Sequence, residues 1–159
     1  MTKFKKMPLL TTNNFKTMKG DGLGYKTYIM YMSPYTANST GKNVCPYASK
    51  GCAEACLVGS GFGGMYTNVM NGRRNRTEYF FADRVNFLAQ LESEIAKAVK
   101  KHSREDKHKA VVTIRLNGTS DLRFETYKLK TGKTLFETFP DVQFYDYTKD
   151  YKRFDTVLP

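Results

Sequence analysis

The stretch of sequence that decides the fold is AVVTIRLNGTSD, residues 110–121. Its first seven residues form a nearly continuous apolar and β-branched run, which is typical of a strand buried on both faces of a parallel sheet. The run ends in a polar turn, Asn117 to Asp121, so this strand places polar groups beyond its carboxyl end. A sheet with such a strand needs helices on its faces, and the flanking sequence contains a pattern for them.

Two further strands and two helices are predicted around this run. Residues 27–32, TYIMYM, are rich in β-branched and aromatic residues, and residues 142–147 follow a Pro-Asp pair. Between the first two strands a long helix is expected to begin near Thr77, its predicted N-cap. A second helix is expected within residues 122–139. Apolar residues recur at helical spacing in the long helix: Phe81, Val85, Leu88, Ile95 and Val99. The order βαβαβ predicts an α/β fold with a parallel sheet.

Polar loops follow all three predicted strands, and the carboxyl ends of parallel strands meet at one edge of a sheet. A cysteine loop, residues 44–64, follows the first strand, and the polar turns at 117–121 and 148–150 follow the other two. We therefore expect the loops to converge on one bound group. The candidate binding residues are Asn117, Ser120, Asp121 and Lys149. The alternative is that the first three only build a turn, with Asp121 as a helix N-cap.

All three cysteines of the chain, Cys45, Cys52 and Cys56, lie within twelve residues, CPYASKGCAEAC. An odd number of thiols cannot pair fully within one chain, and no signal peptide pattern precedes them. In a reducing cytoplasm, closely spaced cysteines more often bind metal or perform redox chemistry than form structural bridges. These three thiols are therefore the candidate metal ligands.

The number of ligands favours an iron–sulfur cluster over zinc. Structural zinc takes four protein ligands, and the histidines of this chain, His102 and His108, lie far downstream. A [4Fe-4S] cluster held by three thiolates would keep one iron open to another ligand. Two alternatives stay open: zinc completed by a distant histidine or a carboxylate, and no metal at all, with the cysteines as small buried hydrophobic residues.

Composition predicts one domain with a basic surface. The chain has 159 residues and a formal net charge of +11. No apolar run approaches the roughly 20 residues of a membrane span. We expect a single domain over 1–159, with a flexible basic segment at 1–24 and an α/β core at 25–155. The excess of positive charge favours an anionic partner, nucleic acid above all, although a solvated basic surface would produce the same composition.

A glycine-rich segment and a group of arginines follow the cysteines. The glycine-rich segment at 59–64, GSGFGG, lacks the ending of a phosphate-binding loop and is expected to be a flexible connection. Arg73, Arg74 and Arg76 follow it and either contact phosphates or are solvated.

Three separated motifs resemble the phage gene product 88 family: NVCPYASKGCAEACLVGSGFGG, TIRLNGTSDL and FPDVQFYDYTK. The resemblance covers roughly residues 20–155 and implies a phage-encoded protein in the host cytoplasm. The layout is also similar to the first part of a radical SAM barrel. That likeness implies that Cys45, Cys52 and Cys56 bind a [4Fe-4S] cluster, and that Asn117, Ser120 and Asp121 face S-adenosylmethionine.

Three parallel strands cannot close a barrel, so the expected fold is a partial, incomplete radical-SAM-like barrel with an open edge. An open edge has three explanations. A second copy of the chain covers it, the chain is a fragment truncated at the C-terminus, or the protein is a natural short form. Three functions follow. The first is an iron–sulfur protein, in its fullest form a compact radical-SAM-like enzyme of unknown substrate. The others are a nucleic-acid-binding phage protein with a structural metal, and a non-catalytic factor that binds a host protein.

Overall fold

The computed structural model describes residues 7–12, 14–56, 66–103 and 109–157, and these form a four-stranded sheet with helices. The strands are β1 (Leu10–Thr11), β2 (Tyr25–Met30), β3 (Val111–Arg115) and β4 (Gln143–Phe144). They lie in the order β1-β2-β3-β4, and β1 runs antiparallel to β2. Because β2, β3 and β4 are parallel to one another, the predicted α/β fold with three successive parallel strands is confirmed.

The described helices lie mainly between β2 and β3. They are α1 (Lys50–Glu54), α2 (Thr67–Ala82), α3 (Arg84–His102), α4 (Leu135–Thr138) and α5 (Phe154–Val157). Short 3₁₀ helices occur at Met18–Leu23, Phe124–Thr126 and Tyr151–Arg153. None of the helices in the described ranges is both long enough and apolar enough to cross a membrane.

The predicted start of the long helix at Thr77 is wrong, because two helices occupy that region. Thr77 lies inside α2, where its hydroxyl donates to the carbonyl of Arg73 at 3.0 Å and accepts from the amide of Ser33 at 2.8 Å. The N-cap of the second helix is Asp83, whose carboxylate accepts from the amide of Asn86 at 3.1 Å. The apolar spacing continues across this break, so the sequence pattern merged α2 with α3.

The connection from β3 to β4 is less helical than expected. Within residues 122–139 the structure has only the 3₁₀ helix Phe124–Thr126 and the one-turn α4. Thr134 and Glu137 begin α4 with a reciprocal capping box. The third strand is also shorter than predicted, since only Gln143 and Phe144 of residues 142–147 have paired strand geometry.

Helix α3 covers the sheet with a stripe of buried apolar side chains, to which α2 adds Phe80. Phe80 packs edge-on against Phe87 with ring centroids 5.3 Å apart. The buried residues that share this core include Leu91, Ile95, Met30 and Ile114. Burial of one such side chain contributes about 1.5–3 kcal/mol, so this stripe is a main source of the stability of the domain.

Residues that precede the predicted α/β core, which begins at residue 25, are also part of the hydrophobic core. Leu9 and Leu10 are buried, and their backbone amides donate to the carboxylate of Glu94 in α3 at 3.0 Å and 2.9 Å. The sheet thus extends beyond a core that begins at residue 25, and the domain limits over 1–159 stay a prediction.

Candidate functional site

The loops that follow β2, β3 and β4 meet at the carboxyl edge of the sheet, and hydrogen bonds join them. The amide of Asp121 donates to the carbonyl of Val44 at 2.8 Å, which links the turn after β3 to the cysteine loop. The amide of Lys149 donates to the Asp121 carboxylate at 2.8 Å, which adds the loop after β4. The predicted convergence of three distant loops is therefore present in the structure.

Gly118 allows the turn after β3 to pack directly against β2. Its amide donates to the carbonyl oxygen of Met30 at 2.9 Å. A Cβ atom at this position would lie 2.6 Å from that same oxygen and 2.7 Å from Cγ2 of Ile29, closer than a carbon can approach. A side chain at residue 118 would push the turn away from the end of β2.

The three cysteines are free thiols. Cys45 is half-buried, and its Sγ lies 3.8 Å from the carbonyl oxygen of Thr119, to which it donates. Burial raises the pKa of the Cys45 thiol, and Asp121, Cys56 and Cys52 add smaller repulsive contributions in the same direction.

The described part of the cysteine loop, residues 44–56, does not form a closed metal site. Within the described ranges, no three His, Cys, Asp or Glu side chains are grouped closely enough to bind a metal ion. Cys52 is exposed on α1, whose N-cap is Ser49, and Cys56 is half-buried just after that helix. Residues 57–64 of the predicted cysteine loop, with the whole glycine-rich segment, lie outside the described residues.

Asn117 organises the turn after β3 from a buried position. Its side-chain oxygen accepts from the Ser120 hydroxyl at 2.8 Å and from the amide of Leu122 at 2.9 Å. Its amide nitrogen donates to the Leu122 carbonyl at 2.8 Å and to the Asp146 carboxylate at 2.5 Å. All hydrogen-bonding positions of this side chain are therefore in use within the protein. A direct contact from Asn117 or Ser120 to a cofactor stays a prediction.

Asp121 and Lys149 differ in their access to a ligand. Asp121 is 6% exposed, and its Oδ1 lies 3.5 Å from Nη1 of Arg153. Lys149 contributes its backbone to this contact while its side chain is exposed at the carboxyl edge. Of the four predicted binding residues, Lys149 is the one whose side chain is open to solvent.

The sequence reasoning did not single out Asp146 or Arg153. Burial raises the pKa of Asp146, although its hydrogen bond from Asn117 acts in the opposite direction. Arg153 donates to both carboxylate oxygens of Glu125 at 2.6 Å. The sequence contained a signal for Asp146. It lies two residues after Phe144 in the predicted third strand, and alternate residues of a strand point to the same face.

Arginine and tyrosine side chains pair at the same edge. The guanidinium of Arg115 lies 4.6 Å from the ring centroid of Tyr147, and that of Arg123 lies 5.6 Å from the ring of Tyr47. Tyr147 and Tyr47 are 70% and 46% exposed, so these aromatic faces are open to solvent at their outer side. Cation–π contact holds such rings in place.

The three arginines after the glycine-rich segment have separate roles. Arg76 donates to the carbonyl of Pro8 at 3.0 Å, and Arg74 is exposed. The Nε and Nη1 atoms of Arg73 are buried without a hydrogen-bond partner, and its guanidinium lies 5.5 Å from the ring of Tyr31. Burial lowers the pKa of Arg73, whereas Tyr31 and Cys56 favour its charged form.

Comparison with known proteins identifies one family. The model of the family described as gene product 88 matches residues 7–159 of this chain. This match confirms the resemblance carried by the three motifs, whereas it does not extend to radical SAM barrels. No curated protein and no solved structure is significantly similar to the chain.

Proposed function

The chain belongs to the phage gene product 88 family, and we propose that it is an iron–sulfur protein whose cluster is held by Cys45, Cys52 and Cys56. The cluster we propose is [4Fe-4S], and the compartment is the cytoplasm of the host cell. The observation that carries the proposal is a set of three free thiols in the loop after β2, one of which, Cys45, lies against the turn after β3.

The donor set suits such a cluster. Thiolates are the usual ligands of iron–sulfur clusters, and three of them leave one iron for another ligand. Cys45 is held beside Thr119, and Cys52 lies on the short helix α1. Because no three such ligands are grouped in the described ranges, closure of the site requires the thiols to move together. Because burial raises the pKa of Cys45, binding of metal releases a proton there and is favoured as pH rises.

The fullest form of the proposal is a compact radical-SAM-like enzyme. When bound, the cluster supplies an electron and an open coordination position for S-adenosylmethionine. Lys149 is exposed at the same edge, and under this proposal its ammonium group pairs with the carboxylate of that ligand. Asn117 and Ser120 would have to give up internal hydrogen bonds in order to contact S-adenosylmethionine. In the structure these bonds hold the turn that carries Asp121.

A nucleic-acid-binding protein with a structural metal is the second candidate. The exposed rings of Tyr47 and Tyr147, each beside an arginine, favour it, because bases of single strands stack on such rings. The net charge of +11 also favours binding of nucleic acid, whose phosphates are negatively charged. Zinc at the three cysteines, with salt-sensitive binding of DNA or RNA, would support this function over the first.

Metal and sulfide analysis of protein purified without oxygen tests the proposal. We expect about four irons and four sulfides per chain, a brown colour, and loss of both elements in Cys45→Ser, Cys52→Ser and Cys56→Ser. Tyr47→Phe changes the same loop without removing a thiol and serves as the control. Zinc would support the second candidate. A folded protein without metal would discard both metal-binding functions and leave the binding of a host protein.

A further inference from the structure

A cavity with aromatic walls opens beside the candidate site, at the carboxyl ends of β3 and β4. Its volume is about 160 Å³. The apolar side chains that line it come from both strands, the connection between them and the start of α5, and include Ile114, Phe124, Phe136, Phe144, Tyr145 and Phe154. The cavity is separate from the three cysteines, so it can be considered independently of any metal.

The size and walls of this cavity suit a flat ring. An apolar protein cavity of roughly 150 Å³ is large enough to hold benzene. The rings of Phe136 and Phe144 both line the cavity and stack on one another, with centroids 4.3 Å apart and an interplanar angle of 31°, so this stacked pair forms one aromatic wall. Phe154 is 54% exposed and Tyr145 is 36% exposed, which places two further rings toward the solvent side. Such walls favour an aromatic ligand that can stack.

Polar groups also line the cavity, and they argue against simple hydrocarbon as its occupant. Glu125 and Asp146 contribute carboxylates, and Arg153 is held by Glu125 through two hydrogen bonds of 2.6 Å. Each carboxylate oxygen has more than one acceptor position, so both groups can accept further N–H bonds. A few polar groups in an otherwise apolar pocket are what sets the orientation of a ligand. A planar ring that carries N–H donors satisfies both parts of this lining.

We propose that this cavity binds a single nucleobase, either of a free nucleotide or of a single-stranded nucleic acid. The base stacks on the phenylalanine wall and donates N–H groups toward Glu125 and Asp146. Lys149 and Lys152 are exposed, and each is next in the chain to a residue of the cavity lining, Thr148 or Arg153. Their ammonium groups supply positive charge for the phosphates of the nucleotide. The net charge of +11 favours such an anionic ligand over a neutral aromatic compound.

Titration of the full chain with four probes tests the proposal. The probes are guanosine and adenosine monophosphates, a short single-stranded oligonucleotide, and an abasic oligonucleotide of the same length. Affinity is measured by calorimetry, and the bound position by NMR shifts of Leu116 and the lining phenylalanines. Binding of the monophosphates identifies a nucleotide site, whereas binding of the base-containing oligonucleotide alone identifies a nucleic-acid site. Either result with shifts at the cavity supports the proposal.

Two variants separate stacking in the cavity from general attraction of charge. Phe154→Ala should weaken binding about tenfold, because one stacking contact is lost. Phe136→Leu keeps an apolar wall but removes a ring and should act in the same direction. Phe15→Ala removes a ring that is 81% exposed and outside the cavity, and should leave affinity unchanged. Equal binding of the abasic probe, absence of binding, or an unchanged affinity in Phe154→Ala would overturn the proposal. Metal content enters none of these outcomes, so the test is independent of the iron–sulfur function.

Discussion

The backbone amide of Asp121 donates a 2.8 Å hydrogen bond to the carbonyl oxygen of Val44, the residue before Cys45. Val44 is fully buried, so this bond fixes one end of the cysteine loop against the turn after β3. The side chain of Asp121 then binds the loop after β4 through the amide of Lys149. One residue therefore links all three loops of the carboxyl edge, and the loop geometry depends on contacts around it.

Gly118→Ala should destabilise the protein by about 2 kcal/mol, because an added carbon would overlap the Met30 carbonyl and the turn must move. Urea unfolding measures this change. Gly22→Ala is the control, since a Cβ there would meet no atom within 4 Å. A similar loss in both variants would show that close packing at Gly118 is not the cause.

Arg153→Met should destabilise the protein by about 3 kcal/mol. The substitution leaves the carboxylates of Glu125 and Asp121 without their buried cation. Lys152→Met, at the exposed neighbouring position, should change the free energy of unfolding by less than about 0.5 kcal/mol. Thermal unfolding of both variants compares them directly, and equal melting temperatures would refute the role assigned to Arg153.

The thiols of metal-free protein should react with iodoacetamide at different rates. Cys52 is exposed and should react fastest, whereas Cys45 is half-buried with a raised pKa and should react slowest. After reconstitution with iron and sulfide, all three should be protected. Mass spectrometry of peptides gives the three rates. Labelling of Cys45 as quickly as Cys52 would contradict the position of Cys45 against Thr119.

Asp146 and Asp83 should show opposite effects of pH on stability. The pKa of Asp146 is raised above 3.8 by burial, so the folded protein binds its proton more tightly than the unfolded chain does. Its contribution to stability is complete below 3.8 and is lost as pH rises through the raised pKa. The pKa of Asp83 is lowered from 3.8 by its hydrogen bonds with Asn86, so its contribution is present above that value and lost as pH falls.

NMR titration of the two carboxyl carbons measures these pKa values directly. Asp146→Asn should remove the decrease in stability that accompanies ionisation of residue 146, and Asp83→Asn should remove the opposite dependence. Titration of Asp146 at or below its ordinary pKa would show that burial does not dominate its environment.

The helix prediction illustrates why part of the fold could not be read from the chain. The apolar residues on either side of Asp83 keep helical spacing, so nothing in that pattern separates α2 from α3. The break lies at Asp83, which follows the last residue of α2 and caps α3 by accepting from the amide of Asn86. The glycine in the turn after β3 was recognisable as a turn residue, whereas its close approach to Met30 required the positions of both strands.

By itself, the sequence determined the parallel β2, β3 and β4, the meeting of their polar loops and the position of the thiols in one of them. These features follow from the spacing of apolar residues, from the turn residues and from the order of the elements. Each of these signals can be recognised within a short stretch of sequence. The tertiary structure alone decided that Asn117 binds Asp146, that Arg153 binds Glu125, and that aromatic residues enclose a cavity between β3 and β4. Such contacts join residues about 28 positions apart, and they depend on the path of the chain between the partners rather than on the local pattern of either.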